Sequence, residues 1–249
     1  MAARKKSGAA TDRRAAPSGR RGGTLVLVGG GEFRSGCRAL DADLVARSGV
    51  GDVVVLPTAA AFEHPDRVGE RAAAHFGELG ATVHALPVLH RGEAEEPQNA
   101  EAVRAAKFVY VADGSPLHLR SVLKDSALFD ALLASYHGGG VLAASGAGAT
   151  VLCDPMVDPR GGAYTVGLGI VRNLAVFPYH GTAADHLRER SIDLLPPNAT
   201  LVGVDEETAL VRDPDGTWRV AGSGHVTVYA GGSSVAYRDG AAIEGLPAY

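Results

Sequence analysis

Thiols are scarce in this sequence. Only Cys37 and Cys153 occur among 249 residues, far apart and in no metal-ligand spacing, so they support neither a disulfide scaffold nor a zinc site, and a reducing, cytoplasmic setting fits. Long apolar runs are missing too. Nothing approaches the ~20 residues that a membrane span needs, and the first residues lack the apolar core of a secretory signal; no membrane partner is expected. Residues 1–23 contain no aromatic side chain and hold seven basic residues (Arg4, Lys5, Lys6, Arg13, Arg14, Arg20, Arg21) against the single acid Asp12, a balance of +6 that leaves the rest of the chain at −10 within the total of −4. Such a stretch cannot bury enough apolar surface to fold alone. It reads as a basic disordered tail, either a solvated extension or an arm for anionic partners, and it is the one route by which nucleic acid would be bound.

What is present is material for a core. With 46% hydrophobic residues, 24–249 can form one α/β domain. TLVLV at 24–28 runs into Gly29-Gly30-Gly31, a first strand ending in a loop whose N–H groups are open to a ligand; the dinucleotide fingerprint fails because its sixth position is Arg34, and no cofactor is expected. A helix at 39–47, a strand at 52–56, a helix at 65–79 and a strand at 82–88 follow, then a charged loop at 91–98, a short helix at 100–106 and a strand at 107–112 closed by Asp113-Gly114-Ser115-Pro116. His75 reads as a helix-surface or half-buried histidine. After a helix at 129–137, strands have alternated with helices throughout, which argues a mostly parallel sheet covered on both faces, with ligands at the carboxyl ends of the strands. Beyond Asp154 the texture becomes short β pieces and a helix at 185–195, and the last ~50 residues should form antiparallel strands on one side of the same domain.

The most informative stretch is VLAASGAGATVLC at 141–153. An apolar strand enters a glycine-broken turn and leaves as a helix, the layout of a nucleophile elbow. What it lacks is the nucleophile. The S-A-G-A of a serine elbow reads Gly146-Ala147-Gly148-Ala149, and glycine, free of a Cβ clash at positive φ, relieves the strain of the bend while removing the attacking oxygen.

From the first strand to about Gly231 the chain resembles the serine peptidases that include cyanophycinase and dipeptidase E, through VGGGEF at 28–33, VLPTAA at 55–60, FVYVADGSPLHL at 108–119, the elbow, VGLGIVRNLAVFPYH at 166–180 and VGVDEETALV at 202–211. The resemblance implies a three-layer α/β/α sandwich of the class I glutamine amidotransferase-like fold with antiparallel β pieces at its C-terminal end, and hydrolysis of bonds involving aspartyl residues. It also implies a set of roles: the nucleophile position at Gly146, a histidine at His180, an acid at Asp158 with Asp154 behind it, and oxyanion or substrate-binding groups among Gly30, Gly31, Gly114, Ser115 and Ala147. Relatives often read G-G-D/N-Q where this chain has Asp113-Gly114-Ser115-Pro116, and the cyanophycinase D-x-H-F reads Pro178-Tyr179-His180-Gly181 here.

A triad stripped of its serine keeps only about 10³ to 10⁴ over water. The expectation is therefore a degenerate peptidase that keeps a pocket for a small carboxylate or short peptide, with no metal. A register shift making Ser145 the nucleophile beside His180 is the alternative; Ser115 and Cys153 are remoter candidates. His186 and Arg188 read as a solvated face, with Arg188 or Arg190 as a reader of a substrate carboxylate in the minority view, and Asp205, Glu206 and Glu207 as turn-bonding carboxylates. A second alternative is a scaffold tethered to anionic partners by the tail, and association as a homodimer is left open.

Overall fold

The computed structural model describes residues 22–247, so the basic tail lies almost wholly outside the described residues. The chain begins with β1 (Thr24–Val28), α1 (Arg38–Ser48), β2 (Asp52–Leu56), α2 (Pro65–Glu78) and β3 (Thr82–Ala85). It continues through α3 (Arg91–Ala94), α4 (Pro97–Ala105), β4 (Phe108–Val111), α5 (Pro116–Leu123), α6 (Ala127–His137), β5 (Val141–Ser145) and α7 (Ala147–Leu152). Four two-residue strands follow, β6 (Cys153–Asp154), β7 (Met156–Val157), β8 (Tyr164–Thr165) and β9 (Val171–Arg172), then β10 (Leu174–Phe177) and α8 (Asp185–Asp193). The C-terminal strands are β11 (Thr200–Val204), β12 (Thr208–Arg212), β13 (Trp218–Gly222), β14 (Val226–Ala230), β15 (Ser233–Tyr237) and β16 (Ala242–Ile243).

Eight strands make the main sheet in the order β16-β13-β12-β1-β5-β4-β2-β3. From β1 to β3 its neighbours run parallel, while β12, β13 and β16 add an antiparallel wing. The central parallel strands β1, β4 and β5 are buried along their whole length and nearly all apolar, as strands covered on both faces must be, while β3 at the edge is mostly exposed. On one face Val26, Val53, Tyr110 and Ala143 pack against Leu44 of α1 and Phe76 of α2; on the other, Leu25, Val109 and Leu142 pack against Leu119 of α5, Leu132 of α6 and the second sheet's Val176 and Val202.

Two expectations need correction. The charged stretch 91–98 is not a loop: α3 opens with a capping box between His90 and Glu93, and Pro97 starts α4 at a first-turn position, where its missing N–H does no harm. The last ~50 residues do not gather on one side either. β12, β13 and β16 extend the main sheet, whereas β11, β14 and β15 join β10, β6 and β9 in a six-stranded second sheet. That division sets the site, because the carboxyl ends of β1, β4 and β5 are faced by the carboxyl ends of β10 and β11.

Candidate active site

At the end of β5, Gly146 adopts φ 49° and ψ −104°, the sharply turned backbone of an elbow, pinned by its N–H to the Val28 carbonyl at 2.9 Å. Side chains alternate along a strand, and Ser145 falls on the face carrying Val141 and Ala143. Its hydroxyl is fully buried and donates to Glu32 Oε2 at 2.9 Å.

The space above Gly146 is filled from a facing loop. A Cβ on Gly146 would stand 2.1 Å from Asp113 Oδ1, so the carboxylate of Asp113 occupies the place where a side chain at the turn would start. Oδ1 accepts from the N–H of Ala147 at 2.6 Å and from the N–H of Gly114 at 2.7 Å, two backbone donors converging on one oxygen. Oδ2 accepts from the Tyr179 hydroxyl. Tyr179 itself sits at φ 55° with its N–H on the Gly29 carbonyl at 2.7 Å, and its ring lies so close to Gly30 that a Cβ there would be 2.4 Å from Cζ. Burial, then the charge of Asp113, hold the Tyr179 phenol far above its ordinary range. Below, Glu32 accepts from the Asp113 N–H at 3.3 Å through Oε1; burial, followed by the charge of Asp113, raises its carboxyl above the ordinary glutamate value.

His180 follows Tyr179 in the chain but faces the other way. Its Nε2 pairs with the Tyr229 hydroxyl at 2.8 Å and its Nδ1 with Asp205 Oδ1 at 3.3 Å, so both ring nitrogens are engaged on the second sheet. Burial lowers its pKa more than Asp205 raises it, and the contact with Asp205 is a hydrogen bond of a neutral imidazole at neutral pH. Asp205 also takes the His225 N–H at 2.9 Å. The carboxylate beside His180 is thus Asp205. Asp158 is clamped by Arg160 at 2.9 and 2.6 Å, which holds it below the usual range, and Asp154 accepts from the Gly167 N–H.

Of the other candidates, Gly30 gives its carbonyl to Glu207 N–H at 2.8 Å and Gly31 lines a cleft. Ser115 caps α5 through His118 N–H at 3.4 Å, and Cys153 is buried with its thiol pushed well up by desolvation. Sequence reasoning missed Asp113, Tyr179 and Glu32 as site residues. The signal for Asp113 was there, a carboxylate in a glycine loop at the carboxyl edge of the sheet; nothing local marked Tyr179.

Two chambers meet at this cluster, and Asp113, Gly114 and Tyr179 line both. One, of ≈ 210 Å³, is apolar, walled by Pro116, Val157, Phe177 and Leu187, with Asp158 among its lining residues. The other, of ≈ 410 Å³, is polar and presents Glu32, Arg34, Glu63 and Arg71. Among the described residues no group of three or more His, Cys, Asp or Glu could hold a metal ion, and no helix is long and apolar enough to cross a membrane.

The chain is 26% identical over 215 residues to a cyanophycinase of Trichormus variabilis, covering 82% of this chain and 72% of that protein, and 27% identical over 222 residues to one of Synechococcus elongatus, covering 83% and 67%. Its structure resembles the crystal structure of a peptidase from an acI-B1 Actinobacterium, with a TM-score of 0.81 and 28% identity over 90% of this chain and 98% of that one. A putative peptidase E protein from Listeria monocytogenes, at 15% identity and a TM-score of 0.60 over 87% and 98% of the two chains, shares the fold. The model of peptidase family S51 matches residues 25–218, and the chain belongs to that family.

Proposed function

We propose that this member of family S51 binds a small carboxylate or short peptide without cutting it. The observation that carries the reading is the Asp113 carboxylate at the elbow, which fills the nucleophile's space and saturates the two N–H groups on which an acyl oxyanion would form. Acyl transfer needs a nucleophile, a base within reach of it and free donors. Gly146 supplies no oxygen, the Ser145 hydroxyl is committed to Glu32, and His180 is turned to Tyr229. A tethered carboxylate outcompetes a free one for the same cradle, so a ligand's carboxylate belongs in the polar chamber, where Arg34 and Arg71 offer guanidinium donors, and an apolar side chain belongs in the other. The two buried free thiols, Cys37 and Cys153, support a reducing, cytoplasmic setting.

The test pairs binding with turnover. Calorimetry with succinate and an aspartyl dipeptide is expected to show binding that Arg71→Ala weakens about tenfold, the scale of one lost charged hydrogen bond. Aspartyl dipeptides and p-nitrophenyl esters are expected to survive incubation with the full chain. Turnover that disappears in Ser145→Ala would establish the working serine hydrolase instead.

A further inference from the structure

Asp113 is held as a carboxylate nucleophile is held. Oδ1 rests between two backbone N–H groups, Oδ2 faces a phenol, and an apolar chamber opens beside them. A carbonyl substrate gains nothing here, since the cradle it needs is already filled. A saturated carbon needs no cradle in its first displacement, and needs one only when the resulting ester is hydrolysed. We propose that Asp113 attacks an epoxide-class electrophile, a strained ring carbon borne on an apolar group that the chamber of ≈ 210 Å³ accommodates.

In the first step Oδ2 forms a bond to the ring carbon, the ring C–O bond breaks, and the ring oxygen takes the proton of Tyr179, giving an Asp113 alkyl ester with a hydroxyl on the adjacent carbon. Tyr179, held protonated by burial and by the charge of Asp113, regains its proton from solvent. In the second, water attacks Cγ of Asp113 and loses a proton, and the negative charge falls on Oδ1 between the N–H groups of Ala147 and Gly114. Collapse breaks the Cγ–Oδ2 bond, and the departing alkoxide takes a proton. The product leaves as a diol carrying Oδ2, while Asp113 keeps the oxygen of the water; the sum is epoxide plus water to diol, with no oxidant or reductant. Both nitrogens of His180 are engaged by Tyr229 and Asp205, so no imidazole stands ready to activate the water, and the ester is expected to accumulate.

The reagent 1,2-epoxy-3-(4-nitrophenoxy)propane tests this on the full chain, with adducts mapped by peptide mass spectrometry. The expected result is a single adduct on Asp113, formed at least about tenfold faster than on Asp158, a carboxylate lining the same chamber but held by one backbone N–H and the Arg160 guanidinium, and lost in Asp113→Asn. When the adduct is left to hydrolyse in heavy-oxygen water, the label is expected in the Asp113 peptide. Adducts spread over exposed carboxylates with Asp113 unmodified, no adduct at all, or hydrolysis that leaves Asp113 unlabelled would overturn the proposal. Each can be read on the unmutated chain, whatever the variant's stability, and none bears on the calorimetric test of carboxylate binding.

Discussion

Beneath the elbow, Glu32 is a carboxyl group enclosed between the Ser145 hydroxyl and the Asp113 N–H, with a second carboxylate close by. Its raised pKa means that the folded state holds the proton more tightly than the unfolded chain does, so the associated stability is full below the ordinary glutamate range and is lost as pH rises through the folded-state value. Glu32→Gln keeps an acceptor for Asp113 and removes the charge. Its melting temperature is expected to exceed that of the parent at about pH 7, by about 2–4 °C per kcal/mol recovered, and to converge with it near pH 4; calorimetric scans across pH check the sign. Gly146→Ser is expected to behave oppositely. Its Cβ would enter the Asp113 carboxylate, so the single variant should lose about 1–3 kcal/mol, and adding Asp113→Gly should restore most of it, as urea titrations of the single and double variants would show.

Among the elements, α1 and α2 are tied by a buried pair, His75 Nε2 to Asp41 Oδ2 at 2.8 Å. Burial raises the Asp41 carboxyl against the opposing pull of His75. His75→Leu leaves that carboxylate enclosed without its partner, and a loss of about 3–5 kcal/mol is expected at neutral pH, shrinking as acid protonates Asp41; urea midpoints at two pH values measure both. The expectation of a half-buried or surface histidine for His75 came from helical spacing, which reports a face and not what covers it. The helix itself was legible, since Pro65 at its start and the apolar positions Val68, Ala72 and Phe76 fix it. Of the helices between 91 and 105, α4 was legible from residue 100 onward, although it begins earlier at Pro97; α3 was not, because it is capped by a histidine in place of the usual Ser, Thr, Asp or Asn.

At the scale of the molecule, two sheets converge on the site, and Gly29 marks where they touch: a Cβ there would stand 2.2 Å from the Val204 and Asp205 carbonyl oxygens. Gly29→Ala is expected to cost about 1–3 kcal/mol and to disturb Tyr179, whose N–H rests on the Gly29 carbonyl; loss of thermal stability together with altered epoxide labelling of Asp113 would register both effects. The same convergence brings Tyr179, from the loop after β10, onto Asp113, from the loop after β4.

The amino-acid order alone determined the alternating strands and helices, the glycine-broken elbow and the absence of an oxygen at Gly146, because periodicity, glycine and proline act over a few residues. Only the tertiary structure decided what fills the elbow, which carboxylate accompanies His180, and which of Tyr179 and His180 faces the cleft. Those depend on strand register, on two sheets meeting where the carboxyl ends of their strands converge, and on the left-handed backbone of Tyr179 in the loop after β10, beyond which His180 faces the other way.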